Sequence, residues 1–217
     1  MVQIIPAILT KSFDEVIEKF NLTEGVVDRV QVDIIDGLFA KNETIDPSQL
    51  VDIETSTFID YHLMVKEPVG WIDRCVQGQA DRIIGHIELM SDQIAFVSEV
   101  RGFGKAVGLA VDLDTPVSKL DPTVIGRLDV ILLMSVKAGF GGQDFDEKVL
   151  EKITELDHIR ARDNLFFTIC IDGGITLQNI DEVVVDGVDE VTIGQRIFDG
   201  DIRANIEHFQ NAAHALQ

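Results

Sequence analysis

Cysteine is scarce in this chain: Cys75 and Cys170 are the two present, far apart and outside any CxxC spacing. That argues against a disulfide-stapled fold and predicts a reducing, cytoplasmic setting. Basic residues are few as well, 18 Lys and Arg against 38 Asp and Glu, for a formal charge of −20. Such a field repels phosphate backbones and anionic lipid, so neither nucleic acid nor a membrane surface is an expected partner. An anionic small substrate stays open, because main-chain amides can hold a phosphate locally against an unfavourable overall charge. No apolar run is long enough to span a bilayer. The opening Met1-Val2-Gln3-Ile4-Ile5-Pro6 has neither the basic nor the apolar region of a secretory signal.

What is present is a recurring unit. Of the 217 residues, 46% are apolar and 26% charged, which is ordinary globular usage. Short β-branched runs recur at Val2–Leu9, Arg29–Ile35, Thr57–Val65, Arg82–Leu89, Ala106–Asp112, Val130–Val136, Phe166–Ile171 and Glu190–Gly194. Most are continuously apolar, as strands buried on both faces should be.

Helix punctuation lies between the runs. Ser12-Phe13-Asp14-Glu15 reads as a capping box, and Pro68 suits a first helical turn. Ser91–Arg101 sets Ile94, Val97 and Val100 on one face before Gly102, and Asp146–Arg162 aligns Val149, Ile153, Leu156 and Ile159. Strand, turn and helix repeated eight times predict an α/β fold, a single (β/α)8 TIM barrel over residues 1–217. The rival, an open doubly wound sheet, would use fewer strands or a longer chain. Trp71 and Phe96 on the outer helices read as packing against the barrel, with a homo-oligomer contact as the alternative.

In such a barrel the chemistry gathers where strands end and loops begin. Gly173-Gly174 and Gly194 follow the last two strands, where bare amides commonly build a phosphate site. Gly139, Gly141 and Gly142 follow the sixth and predict a loop that adds amides or closes over a ligand. Asp33, His62 and Asp172 sit inside apolar strand ends, where an unpaired charge is expensive. Singly, each reads as a loop-holding carboxylate or a satisfied core histidine. Together they predict a shared centre, either a metal or an acid/base pair flanking a substrate. His86 and Glu88 read as ordinary pairing, with a supporting place behind that centre as the alternative.

The segments Ile5-Pro6-Ala7-Ile8-Leu9, Val32-Asp33-Ile34-Ile35-Asp36-Gly37, His62-Leu63-Met64-Val65, Gly139–Gln143, Asp172–Ile175 and Gly194–Phe198 resemble the ribulose-phosphate 3-epimerase family. They occur in order, from the first strand to the last. The resemblance implies a ribulose-phosphate-binding barrel that interconverts D-ribulose 5-phosphate and D-xylulose 5-phosphate, with a sugar phosphate as its small-molecule partner. It implies Asp33 and Asp172 as acid and base, both also ligands of one divalent metal (zinc, iron(II) or manganese) together with His62. It implies phosphate contacts at Gly141, Gly142, Gly173, Gly174, Gly194 and Gln195, and a pocket lined by Ala7, Met64 and Met134.

The chain departs from the family pattern at several of these places. Gln31 stands where the family has a histidine ligand, and a neutral amide oxygen is a weaker donor than imidazole, so the metal's occupancy is left open. Ala7 stands for a serine, Ile35 for a methionine, Ala138 for a proline, and Gln195 for a small polar residue. These departures keep two alternatives in play: an epimerase of another ketose phosphate, and a non-catalytic sugar-phosphate-binding barrel that has lost its metal. An aldol-type synthase or decarboxylase would carry Asp-x-Lys-x-x-Asp after a strand, and Asp33-Ile34-Ile35-Asp36-Gly37 has no lysine.

Overall fold

Each of the eight β-branched runs forms a strand in the computed structural model, which describes residues 2–184 and 187–214. The strands are β1 (Gln3–Ile8), β2 (Arg29–Ile35), β3 (Phe58–Met64), β4 (Arg82–His86), β5 (Ala106–Val111), β6 (Val130–Met134), β7 (Thr168–Asp172) and β8 (Glu190–Ile193). All pair in parallel with their sequence neighbours, and β8 returns to β1 to close the barrel. Strands enclosed by side chains on one face and helices on the other have no solvated face, so they alternate little in hydropathy.

The helices are less regular than an eightfold repeat predicts. α1 (Phe13–Thr23), α2 (Ile72–Gln77), α3 (Gln93–Gly102), α4 (Lys148–Asp163), α5 (Ile180–Val183), α6 (Gln195–Phe198) and α7 (Ile202–His214) cover the outside. After β2 and β5 the chain makes only short 3-10 turns, among them Pro47–Leu50 and Val117–Lys119, each begun next to a proline that removes a backbone donor. The expected capping box at Ser12 is half made: the Ser12 hydroxyl accepts from the Glu15 N–H, but the Glu15 carboxylate turns to Thr10 and Lys19. α3 begins at the Asp92 cap rather than at Ser91, and buries Phe96, Val97 and Val100 while Ile94 stays exposed. Pro68 opens a 3-10 turn ahead of α2. Phe96 is fully buried, and Trp71 is packed against the same core with Arg74 over its ring.

Inside the barrel the inward residues stack in layers, two positions apart along each strand. The floor is ionic: Arg82 donates to Asp60 at 2.6 and 3.0 Å and to Glu190 at 2.7 and 2.9 Å, and Arg29 closes on Asp60 from the other side. Above it lies an apolar plug that includes Ile84, Ala110, Leu132 and Cys170. Continuing the same inward rows, Gln31, Asp33, His62, His86 and Asp172 emerge above the plug, at the carboxyl end of the strands. No helix among the described residues is long and apolar enough to cross a membrane.

Candidate active site

The register of β2 against β3 pairs Asp33 with His62, and closure of the barrel brings Asp172 of β7 beside them. His62 Nδ1 lies 3.0 Å from Asp33 Oδ1 and 3.6 Å from Asp172 Oδ2. Gln31, buried one alternation below Asp33 on the same strand, reaches all three. Its Nε2 donates to Asp172 Oδ2 at 2.7 Å and to Asp33 Oδ1 at 2.9 Å, and lies 3.3 Å from His62 Nδ1. Its own oxygen receives the Thr192 hydroxyl at 3.4 Å.

Among the described residues, Asp33, His62 and Asp172 are the group that could hold a metal ion, with one ligand atom from each lying within 4.8 Å of the others. Two carboxylate oxygens and one imidazole nitrogen suit such an ion. This corrects the expectation of a divalent metal whose occupancy turns on Gln31 standing for a lost histidine. The histidine of the group, His62, is intact, and Gln31 turns its amide nitrogen to the two carboxylates. Facing two carboxylates, which only accept, the amide presents its NH2 rather than its oxygen, and serves as a donor to the group rather than a ligand in it.

Electrostatics separate the carboxylates. Burial pushes the Asp172 carboxyl up to about 7, the charge of Asp33 adds to the rise, and His62 and Gln31 only partly offset it. Near neutrality Asp172 therefore stands poised between acid and base.

These groups open into a cavity of about 860 Å³. Ala7, Met64 and Met134 lie on its wall, and Gly141, Gly142, Gly173, Gly174, Gly194 and Gln195 line the same space. The glycines are there for different reasons. Gly174 has φ +63, and a Cβ on it would stand 2.4 Å from the Phe145 main-chain nitrogen, so packing alone demands glycine. At Gly194, with φ −78, a Cβ would meet nothing within 4 Å, leaving bare main chain turned to the cavity. The loop after β6 is tied down: Gln143 Nε2 donates to the carbonyls of Lys137 and Phe140, both at 2.8 Å, and Asn42 reaches the Gly139 carbonyl at 3.0 Å.

Two participants were not legible in the sequence, and a third was named there only as an alternative. Lys19 and Arg196 line the cavity as its basic side chains, the first held by Glu15. His86, whose simplest reading was ordinary pairing, touches the site: its Nε2 is 2.9 Å from His62 Nε2, and its Nδ1 is 2.8 Å from Glu88. H-x-E at the end of a strand was the available signal. The departure at Ala138 also has a structural consequence, since its N–H donates to Asp112 at 2.9 Å, a bond that proline cannot make.

Comparison with known proteins places this geometry. The model of the Ribulose-phosphate 3 epimerase family matches residues 3–198. The ribulose-phosphate 3-epimerase of Aquifex aeolicus is 35% identical over 196 residues, covering 89% of this chain and 88% of that protein. An enzyme of the same name from Cupriavidus necator, ribulose-phosphate 3-epimerase 2, is 32% identical over 98% of this chain and 92% of its own length. Among solved structures, KGPDC from Streptococcus mutans superposes with a TM-score of 0.72 over 99% of this chain and 98% of that one. At 8% identity that likeness concerns the fold alone. With the family model spanning nearly all of the barrel, and relatives above 30% identity along most of their own lengths, the chain belongs to the ribulose-phosphate 3-epimerase family and is an enzyme of the isomerase type.

Proposed function

We propose that the protein interconverts D-ribulose 5-phosphate and D-xylulose 5-phosphate, with Asp33 and Asp172 as the proton-transfer pair. The observation that carries this reading is the bridging of the buried Asp33 and half-buried Asp172 carboxylates by one Gln31 amide, in a cavity whose other wall is built of glycine turns. Inverting a carbon next to a ketone means removing its proton from one face and returning a proton to the other. One carboxylate must start ionised and the other protonated, and an Asp172 carboxyl held near 7 beside a second aspartate supports that division.

In one direction the ionised carboxylate takes the C3 proton, and the electron pair moves into an ene-diolate. The protonated partner then gives its proton to the opposite face. The pair ends with its proton exchanged, which is the starting state for the reverse reaction. Gln31 orients both carboxylates, and it supplies donors that lower the cost of their shared charge. A metal ion held by Asp33, His62 and Asp172 would supply positive charge next to the ene-diolate oxygens. The phosphate end rests on the main chain around Gly142, Gly174 and Gly194, with Arg196 nearby, so remote binding energy holds the reacting carbon between the carboxylates. Free, buried Cys75 and Cys170 support a reducing, cytoplasmic setting.

A coupled assay with D-ribulose 5-phosphate tests the reading. Turnover is expected in the unsubstituted protein, with a loss of about a hundredfold or more in Asp33→Asn and Asp172→Asn. Full turnover in both variants would sink the acid/base assignment. Turnover with a six-carbon ketose phosphate but not with ribulose 5-phosphate would change the substrate and keep the chemistry.

A further inference from the structure

The cavity wall carries one positive charge that no side chain among the described residues pairs. Every other arginine of the chain donates from its guanidinium to a carboxylate, a carbonyl or a hydroxyl. Arg196 lines the cavity from α6, is exposed, and makes no side-chain hydrogen bond or ion pair among the described residues. Lys19, the other cation on that wall, is already engaged: Glu15 holds it at 2.6 Å, and it stands 5.1 Å from the centre of the Phe198 ring. The backbone that carries Arg196 is fixed. Ile197 is fully buried, and Asn205 of α7 donates to the Ile197 and Asp199 carbonyls at 3.2 and 2.8 Å.

An unpaired guanidinium is out of keeping with this composition. Acidic residues outnumber basic ones 38 to 18, and Glu18 and Asp199 line the same cavity without pairing with Arg196. The wall as a whole sets Glu15, Glu18, Asp33, Asp172 and Asp199 against Lys19 and Arg196, a balance that opposes the entry of a phosphate dianion. Main-chain amides at the glycine turns bring partial charges to such a ligand, whereas an arginine brings a full one. Its planar fork of donors matches two phosphate oxygens at once, and a neutral ketose has no group that could take the same place.

We infer that Arg196 is a specificity-determining residue, whose guanidinium pairs with the phosphate of the ligand and selects phosphorylated ketoses over neutral ones. This rests on the reading of the cavity as a sugar-phosphate site, and it adds a side-chain charge to the main chain around Gly194.

Two readouts test the assignment. One is calorimetric binding of D-ribitol 5-phosphate, which carries the phosphate but no ketone to react, and the other is kcat/KM with D-ribulose 5-phosphate. Arg196→Gln removes no contact of the fold, and it is expected to weaken binding about tenfold and to lower kcat/KM to a similar extent. Arg162→Gln takes the same charge from the exposed last turn of α4, away from the cavity wall, and should change either value by less than about twofold. Equal losses in the two variants would reduce the effect to the overall field and overturn the inference. Unchanged affinity for ribitol 5-phosphate in Arg196→Gln would overturn it as well, and would leave the proposed function intact wherever turnover persists. Binding that depends on Arg196 in a protein with no epimerase turnover would sink the proposed function and leave this contact standing.

Discussion

Asp172, in the proton-transfer role proposed for it, would serve chemistry at the expense of stability. Its carboxyl is held near 7 in the fold, against an ordinary 3.8 in the unfolded chain. The unfolded chain therefore releases this proton first as pH rises, and the stability that the group leaves intact in acid is lost between those two values. At 1.36 kcal/mol per tenfold change, the cost above neutrality approaches roughly 4 kcal/mol. Asp172→Asn removes the buried charge and leaves a carbonyl to accept from Gln31. Urea unfolding of chelator-treated protein should show this variant more stable by about 2–4 kcal/mol at pH 8, with the gain shrinking towards pH 4. A gain independent of pH would show that the carboxyl does not titrate as described. Such a trade of stability against function is what a site for proton transfer requires.

At the scale of elements, the β-branched runs were legible because a strand buried on both faces must be apolar throughout. Their ends were less so. The run Arg82–Leu89 reads as one strand, yet β4 stops at His86 and Glu88 turns away to the Asp112 N–H. Hydropathy cannot register that change of direction, because Ile87 and Leu89 are apolar on either side of it.

The turns after β7 and β8 separate two uses of glycine. Gly174→Ala forces a Cβ against the Phe145 main chain at positive φ. It should cost about 2 kcal/mol or more in thermal or urea unfolding. Gly194→Ala meets nothing. It should raise KM for the sugar phosphate several-fold, with kcat little altered. Ala138→Pro deletes the N–H bound to Asp112. A loss of about 1–3 kcal/mol is expected, measured by the same unfolding experiment.

The whole molecule is held at its floor by charges that no local pattern reveals. Arg29, Asp60, Arg82 and Glu190 come from β2, β3, β4 and β8, and sequence alone offers no reason to pair Arg82 with Glu190 across 108 positions. Removing one partner leaves a buried charge uncompensated, so Arg82→Met should destabilise by about 3–5 kcal/mol in urea unfolding. The folded fraction should keep its KM, because the apolar plug separates floor from cavity.

The sequence by itself determined the order of the eight strands and the glycines after β6, β7 and β8. It also singled out Asp33, His62 and Asp172, since charges inside apolar strand ends stand out in one dimension. What the tertiary structure decided was the partnership among them. Gln31 reaches Asp172 across 141 positions, and its amide orientation follows from the two acceptors that barrel closure sets in front of it. His86 and Glu88 stand behind His62 for the same reason: parallel register, not sequence spacing, aligns β3 with β4. Hydropathy and spacing report where a side chain is buried, but only closure of the sheet determines what it meets there.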